Sequence, residues 1–179
     1  IIKELGSKAG INDEIEVNGI KLENEEKQYF LFYKPQGVVS TTSDDKGRKT
    51  ILDFFSGVNR IYPIGRLDYD TTGIILLTND GDFANLMMHP KSEIDKVYIA
   101  KILGVLDSYT IKQLKDGVIL DGVKTAKARV KVKRVSRDKQ TSIIEITIHE
   151  GRYHQIRRMF EVFKIEIEKL KRERIAFLD

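Results

Sequence analysis

Apolar and polar positions alternate along parts of this chain and follow a helical period along others, and the changes mark its elements. Residues 12–19, NDEIEVNG, set Ile15 and Val17 in alternation before an Asn-Gly turn, which predicts a short strand. The polar run Glu23–Lys27 predicts a linker, with the main domain boundary at about Lys27. YFLFYKPQG then reads as an apolar strand stopped by Lys34-Pro35-Gln36-Gly37, a Pro-x-Gly turn. Arg60–Ile64 and Gly73–Thr78 are apolar runs of strand length, GRLDYDTT is the loop between them, and Asn79-Asp80-Gly81 closes the second. Asp80 or Asp82 is placed to cap a short helix in which Phe83, Leu86 and Met87 recur at i, i+3, i+4, and Pro90 stops it.

Val97–Leu103 predicts another strand, and Ser108–Lys115 a helix ended by Gly117. AKARVKVKRV alternates: Ala128, Val130 and Val132 face one way, Lys127, Arg129, Lys131 and Lys133 the other. Ser142–His149 is its natural antiparallel partner, with Ile144, Ile146 and Ile148 inward. From Gln155 to Phe163 the period becomes helical, and Ile156, Met159, Phe160 and Phe163 form one stripe. Strands outnumber helices without regular alternation, which favours an α+β fold with a largely antiparallel sheet over a doubly wound one.

Composition narrows the function classes. The 179 residues suit one domain, or one domain plus a fragment of another. No apolar run reaches the roughly 18 residues of a membrane span, and the start IIKELGSKAG has no signal-peptide pattern. Without an initiator methionine, the chain is expected to be part of a longer, cytoplasmic protein. Zero cysteines exclude disulfides and thiolate chemistry. Charge is unevenly spread: residues 1–123 carry 15 Lys/Arg against 19 Asp/Glu, residues 124–174 carry 16 against 7. That excess fits either a polyanionic partner such as nucleic acid or a solvated face.

The candidate chemistry is sparse. His89, His149 and His154 lack metal-ligand spacing, so no metal site is expected. No glycine-rich phosphate loop is present. One loop carboxylate stands out, Asp68 in GRLDYDTTGIILLTNDG, which reads either as a local turn-former or as a catalyst. HEGRYHQIRRMF sets Gly151-Arg152-Tyr153-His154 at a helix entry and Arg157-Arg158 one turn inside. Arg157 at the edge of the apolar stripe is able to reach into a cleft and pin a carboxylate, or is simply part of the wet face. Tyr98 in KVYIAKILG is either core or an aromatic platform for an extruded base.

Together these segments resemble the RsuA-like ribosomal branch of the pseudouridine synthases. GRLDYDTTGIILLTNDG is similar to its GRLDxxTxGLLLLTNDG signature, YKPQGVVSTTSD to its KPxGxVST opening motif, HPKSEIDKVYIAKILG to its HPxxxxxKxYxAxxxG segment, and EGRYHQIRRMF to its EGRxxQIRRMF motif. KLKRERIAFLD resembles the closing strand pair, so the likeness covers residues 28–179. Residues 5–22 look like the last part of an S4-type RNA-binding domain.

The resemblance implies a pseudouridine synthase catalytic fold over 27–179, α+β with a largely antiparallel mixed sheet and a central cleft, preceded over 1–26 by an S4-type remnant and linker. It implies isomerisation of a ribosomal RNA uridine without a cofactor by a monomer, with 23S rRNA favoured over 16S rRNA by the KLKRERIAFLD and MMHPKSEIDK stretches. Asp68 would be the catalytic carboxylate, Arg157 its partner, and Tyr98 the base-stacking residue that assists removal of the C5 proton. Arg66, Lys34 and Arg152 would contact RNA, and Lys127, Arg129, Lys131 and Lys133 form a candidate RNA surface. Two rivals remain open: a non-catalytic RNA-binding or ribosome-assembly protein, and an RNA glycosylase or nucleoside hydrolase, for which Asp70 is the only nearby second carboxylate.

Overall fold

A computed structural model describes residues 6–10, 13–22, 25–58 and 60–179. Strands β1 (Glu16–Val17) and β2 (Ile20–Lys21) form a small hairpin through Asn18 and Gly19, both at positive φ as a tight two-residue turn requires. The first two residues of the expected linker, 23 and 24, lie outside the described residues.

The main sheet has seven strands. Along it run β3 (Tyr29–Lys34), β5 (Thr72–Thr78), β11 (Ile167–Ile175), β6 (Lys96–Leu103), β10 (Thr141–Ile148) and β9 (Arg129–Ser136), with β4 (Tyr62–Pro63) also paired to β5. Only the β11–β5 pairing is parallel. The fold is therefore α+β around a largely antiparallel mixed sheet. Two further short strands, β7 (Ile119–Leu120) and β8 (Val123–Lys124), make a second hairpin. Among the described residues no helix is long and apolar enough to cross a membrane.

Strand β5 reads as an unbroken apolar run because both its faces are covered. Ile75 and Leu77 join the large core with Tyr98, Ala100, Ile102, Ile144, Ile146 and residues of α2 (Ser108–Asp116) and α3 (Gln155–Glu161). Ile74 and Leu76 face a smaller cluster under α1 (Gly81–Met88). Asp80 starts that helix by accepting from the backbone N–H groups of Asp82 and Phe83, and it also takes the Tyr29 hydroxyl at 2.7 Å and Lys27 Nζ at 2.8 Å. Lys27 and Tyr29 together hold its carboxyl well below the usual carboxylate range. The face of α1 differs from the expected stripe: Ala84 is buried, whereas Leu86 is 60% exposed. Arg60–Ile64 also pairs less than expected. Arg60 has positive φ, and only Tyr62–Pro63 pairs with β5 as a strand, the Ile64 N–H adding a bond to the Leu76 carbonyl at 2.7 Å.

The joint between β5 and β11 is tight. Gly73 (φ +116°) lies opposite Arg172, and a Cβ built there would stand 2.1 Å from the Arg172 carbonyl oxygen and 2.6 Å from its nitrogen. Both atoms are backbone, so neither can swing away. Gly73→Ala is expected to destabilise the fold by about 3 kcal/mol or more. Chemical denaturation of the purified variant measures this, and stability equal to wild type would contradict the account.

Candidate active site

The residue-65–71 loop leads into β5 and is held on several sides. Leu67 is buried, its N–H donates to Ser40 Oγ (3.1 Å), and the Ser40 hydroxyl donates back to the Leu67 carbonyl (3.0 Å). The Gly37 N–H donates to the Tyr69 carbonyl at 2.9 Å, and the Thr71 N–H to the Asp68 carbonyl at 3.0 Å. Thus the KPQGVVS segment splints the GRLDYD loop. Ser40 lies in the YKPQGVVSTTSD segment, where nothing in the residue pattern marks this bridging role.

Asp68 borders a cavity of about 770 Å³, whose wall also includes Arg66, Lys96, Tyr98, Arg152, His154 and Arg172. Its side chain is partly buried, and His154 Nε2 lies 3.5 Å from its Oδ1. Tyr98 is 8% exposed; it belongs to the large core and also lines the cavity.

Arg157 does not pair with Asp68 as expected. It binds Asp70 at 2.8 Å and donates to the Ile167 carbonyl at 3.2 Å. The Asp68–Thr71 turn accounts for the exchange, because carboxylates two residues apart in a turn point different ways. Asp68 faces the cavity, and neither Asp70 nor Arg157 is part of its lining.

Two residues expected to contact RNA have their charged groups engaged within the protein. Lys34 is fully buried, with its Nζ donating to the Pro35 and Val38 carbonyls at 3.0 and 2.8 Å. It staples its own turn and presents no charge to a phosphate. Arg152 lines the cavity, but its guanidinium donates to the Val123 and Lys124 carbonyls and pairs with Glu150. Arg66 is exposed and lines the cavity. Lys127, Arg129, Lys131 and Lys133 are exposed along β9 or just before it and take no part in the cavity wall. Arg129 pairs with Asp95, and Lys133 with Glu145.

The EGRYHQIRR segment turns out to brace itself. Gln155, buried, donates to Glu150 Oε1 and accepts from the Arg152 N–H at 2.9 Å, while the Ala126 N–H donates to the same Glu150 oxygen at 3.0 Å. This network fixes the turn in which His154, with positive φ, enters α3 and faces Asp68. Lys96, which the sequence pattern does not single out, is a half-buried cation whose Nζ donates to the Ile94 and His149 carbonyls; burial, then Arg172, lowers its pKa. Among the described residues no group of three or more His, Cys, Asp or Glu could hold a metal ion.

The mixed sheet thus carries a splinted aspartate and a buried tyrosine on one cavity. Residues 28–162 match the RNA pseudouridylate synthase family, and the chain belongs to that family as an enzyme. It is 56% identical over 180 residues to ribosomal large subunit pseudouridine synthase B of Bacillus subtilis, covering 100% of this chain and 74% of that protein. It is 35% identical over 174 residues to dual-specificity RNA pseudouridine synthase RluF of Escherichia coli, covering 96% of this chain and 58% of that protein. A crystal structure of a pseudouridylate synthase superposes with a TM-score of 0.74 at 33% identity, over 98% of this chain and 74% of that one.

Lys34 gives the site a pH signature. Burial lowers its pKa from 10.5 to about 8, against the opposing pull of Asp68 and Asp70. Below about pH 8 the folded and unfolded chains both hold the proton. Between about 8 and 10.5 the folded chain has released a proton that the unfolded chain keeps, so stability rises with pH. Denaturation of wild type and Lys34→Met across this window should show wild type gaining relative to the variant. Parallel pH curves would rule the linkage out.

Proposed function

We propose that this enzyme isomerises a specific uridine of ribosomal RNA to pseudouridine, that the target lies in 23S rRNA of the large subunit, and that Asp68 is the catalytic carboxylate. The observation that carries the reading is the splinted Asp68 sharing a cavity with Tyr98. The large-subunit assignment is supported by the 56% identity to the Bacillus protein of that name. Action on ribosomal RNA supports a cytoplasmic location, and the enzyme is read as a monomer. Residues 1–26 are read as the remnant and linker of an S4-type RNA-binding unit; the exposed Ile15, Val17, Ile20 and Leu22 of the hairpin region suit a fragment that packs on further chain.

The reaction breaks the N1–C1′ bond, turns the uracil and joins C5 to C1′. The C5 proton leaves, N1 gains a proton, and no electrons enter or depart. Two routes fit one carboxylate. In the first, Asp68 adds to C1′ as the bonding pair departs with the uracil, and C5 later displaces it. In the second, Asp68 removes the 2′ proton as the uracil departs with the N1–C1′ bonding pair, giving a glycal; C5 then bonds to C1′ as the proton returns from Asp68 to C2′. Tyr98 stacks on the base and helps remove the C5 proton. Arg157, through Asp70, is a positioning residue that steadies the loop from outside the cavity.

The same geometry weighs against hydrolysis. A glycosylase needs a second carboxylate to activate water; Asp70 is paired with Arg157 away from the cavity, and Glu150, which lines it, is held by Gln155, the Ala126 N–H and Arg152. A purely RNA-binding role leaves the aspartate and tyrosine unused.

Asp68→Asn should abolish pseudouridine formation, mapped in rRNA from cells carrying wild type or variant, while folding and RNA binding persist. Retention of about a tenth of the wild-type rate would remove Asp68 from its assigned role. For Tyr98→Phe, tritium release from 5-tritiated uridine RNA in a single turnover should fall by about 10²–10⁴-fold. Wild-type-like release would limit Tyr98 to stacking.

A further inference from the structure

Arg172 is an unexplained cost in this fold. It lies within β11, only 2% exposed, and its Nε donates to the Ile74 carbonyl at 2.7 Å. Its Nη2 is buried with no hydrogen-bond partner, and no carboxylate pairs with the guanidinium among the described residues. A neighbouring cation, Lys96, adds to the penalty. Burying an arginine donor unsatisfied is unfavourable unless a partner arrives in the working state.

The position of Arg172 restricts what that partner is. The residue lines the cavity, and its guanidinium carbon stands 6.0 Å over the centroid of the Tyr98 ring. That is within reach of the edge of a pyrimidine resting on Tyr98. A phosphate would stay near the surface, where Arg66 is exposed. An extruded base goes deepest. Arginine offers donors only, and uracil presents carbonyl acceptors at its O2 and O4, whereas cytosine has a donor amine at position 4.

Resting on the reading of this cavity as a uridine site, we propose that Arg172 is a specificity-determining residue whose free Nη2 N–H donates to the O4 carbonyl of the bound uracil, where cytosine carries an amine. Its Nε bond to Ile74 holds the fork in place, so the donor is set before the base enters.

Uridine 5′-monophosphate, its 2-thio and 4-thio analogues and cytidine 5′-monophosphate test this by titration, followed through the arginine side-chain nitrogen resonances. Uridine monophosphate should shift the Arg172 signals. Sulfur in place of O4, a poorer acceptor, should weaken binding about tenfold. Arg172→Lys should lose a similar factor and no longer distinguish the thio analogues. Wild-type measurements alone decide the matter if that variant fails to fold. Arg172 signals unmoved at the highest uridine monophosphate concentration, or equal affinity for all three uracil nucleotides, overturn the proposal. Those results leave the isomerase reading intact if rRNA is still converted; absent conversion with the Arg172 shift present does the reverse.

Discussion

The close approach of Gly73 to the Arg172 backbone is the constraint on which the site depends. Strands β3, β4 and β5 form one part of the sheet, and β11, β6, β10 and β9 the other. They meet through the short parallel pairing Lys171–Thr72 and Arg172–Gly73. Asp68 is carried by the loop entering β5, whereas Tyr98 is carried by β6 on the far side of the joint. A side chain at position 73 would push the two parts apart, and with them the carboxylate from the aromatic ring. A glycine outside the cavity therefore sets a distance inside it.

Around that joint the charges are sorted by partner. Lys34, Lys96 and Arg152 are tied to backbone carbonyls, and Arg157 is tied to Asp70. These bonds keep four cations off Asp68, which retains His154 as its nearby basic neighbour. The motif residues thus divide between those that face the cavity and those that hold the facing ones still.

Where burial follows period, the sequence was easily read. The inward isoleucines of β10, the stripe Ile156, Met159 and Phe160, the Asp80 cap and the Gly117 stop all lie as the pattern predicts. Patterns were misleading where a partner is backbone or a helix is short. Lys34, Lys96 and Arg172 look like surface charges, because the carbonyls that bind them leave no mark in side-chain periodicity. In α1 the small Ala84 allows close approach to β5, which turns Leu86 outward. Arg157 was matched to the wrong carboxylate because spacing alone cannot tell which way a turn points each of its acids.

The basic row before and along β9 has a consequence that does not depend on RNA. β9 is an end strand of the sheet, where unpaired N–H and C=O groups invite another strand to add. Lysines and arginines along it repel a second copy of the same edge, and the register shift opposite Ile143 and Ile144 breaks its straight line. The charge that would attract a polyanion also protects the protein from self-association into larger sheets.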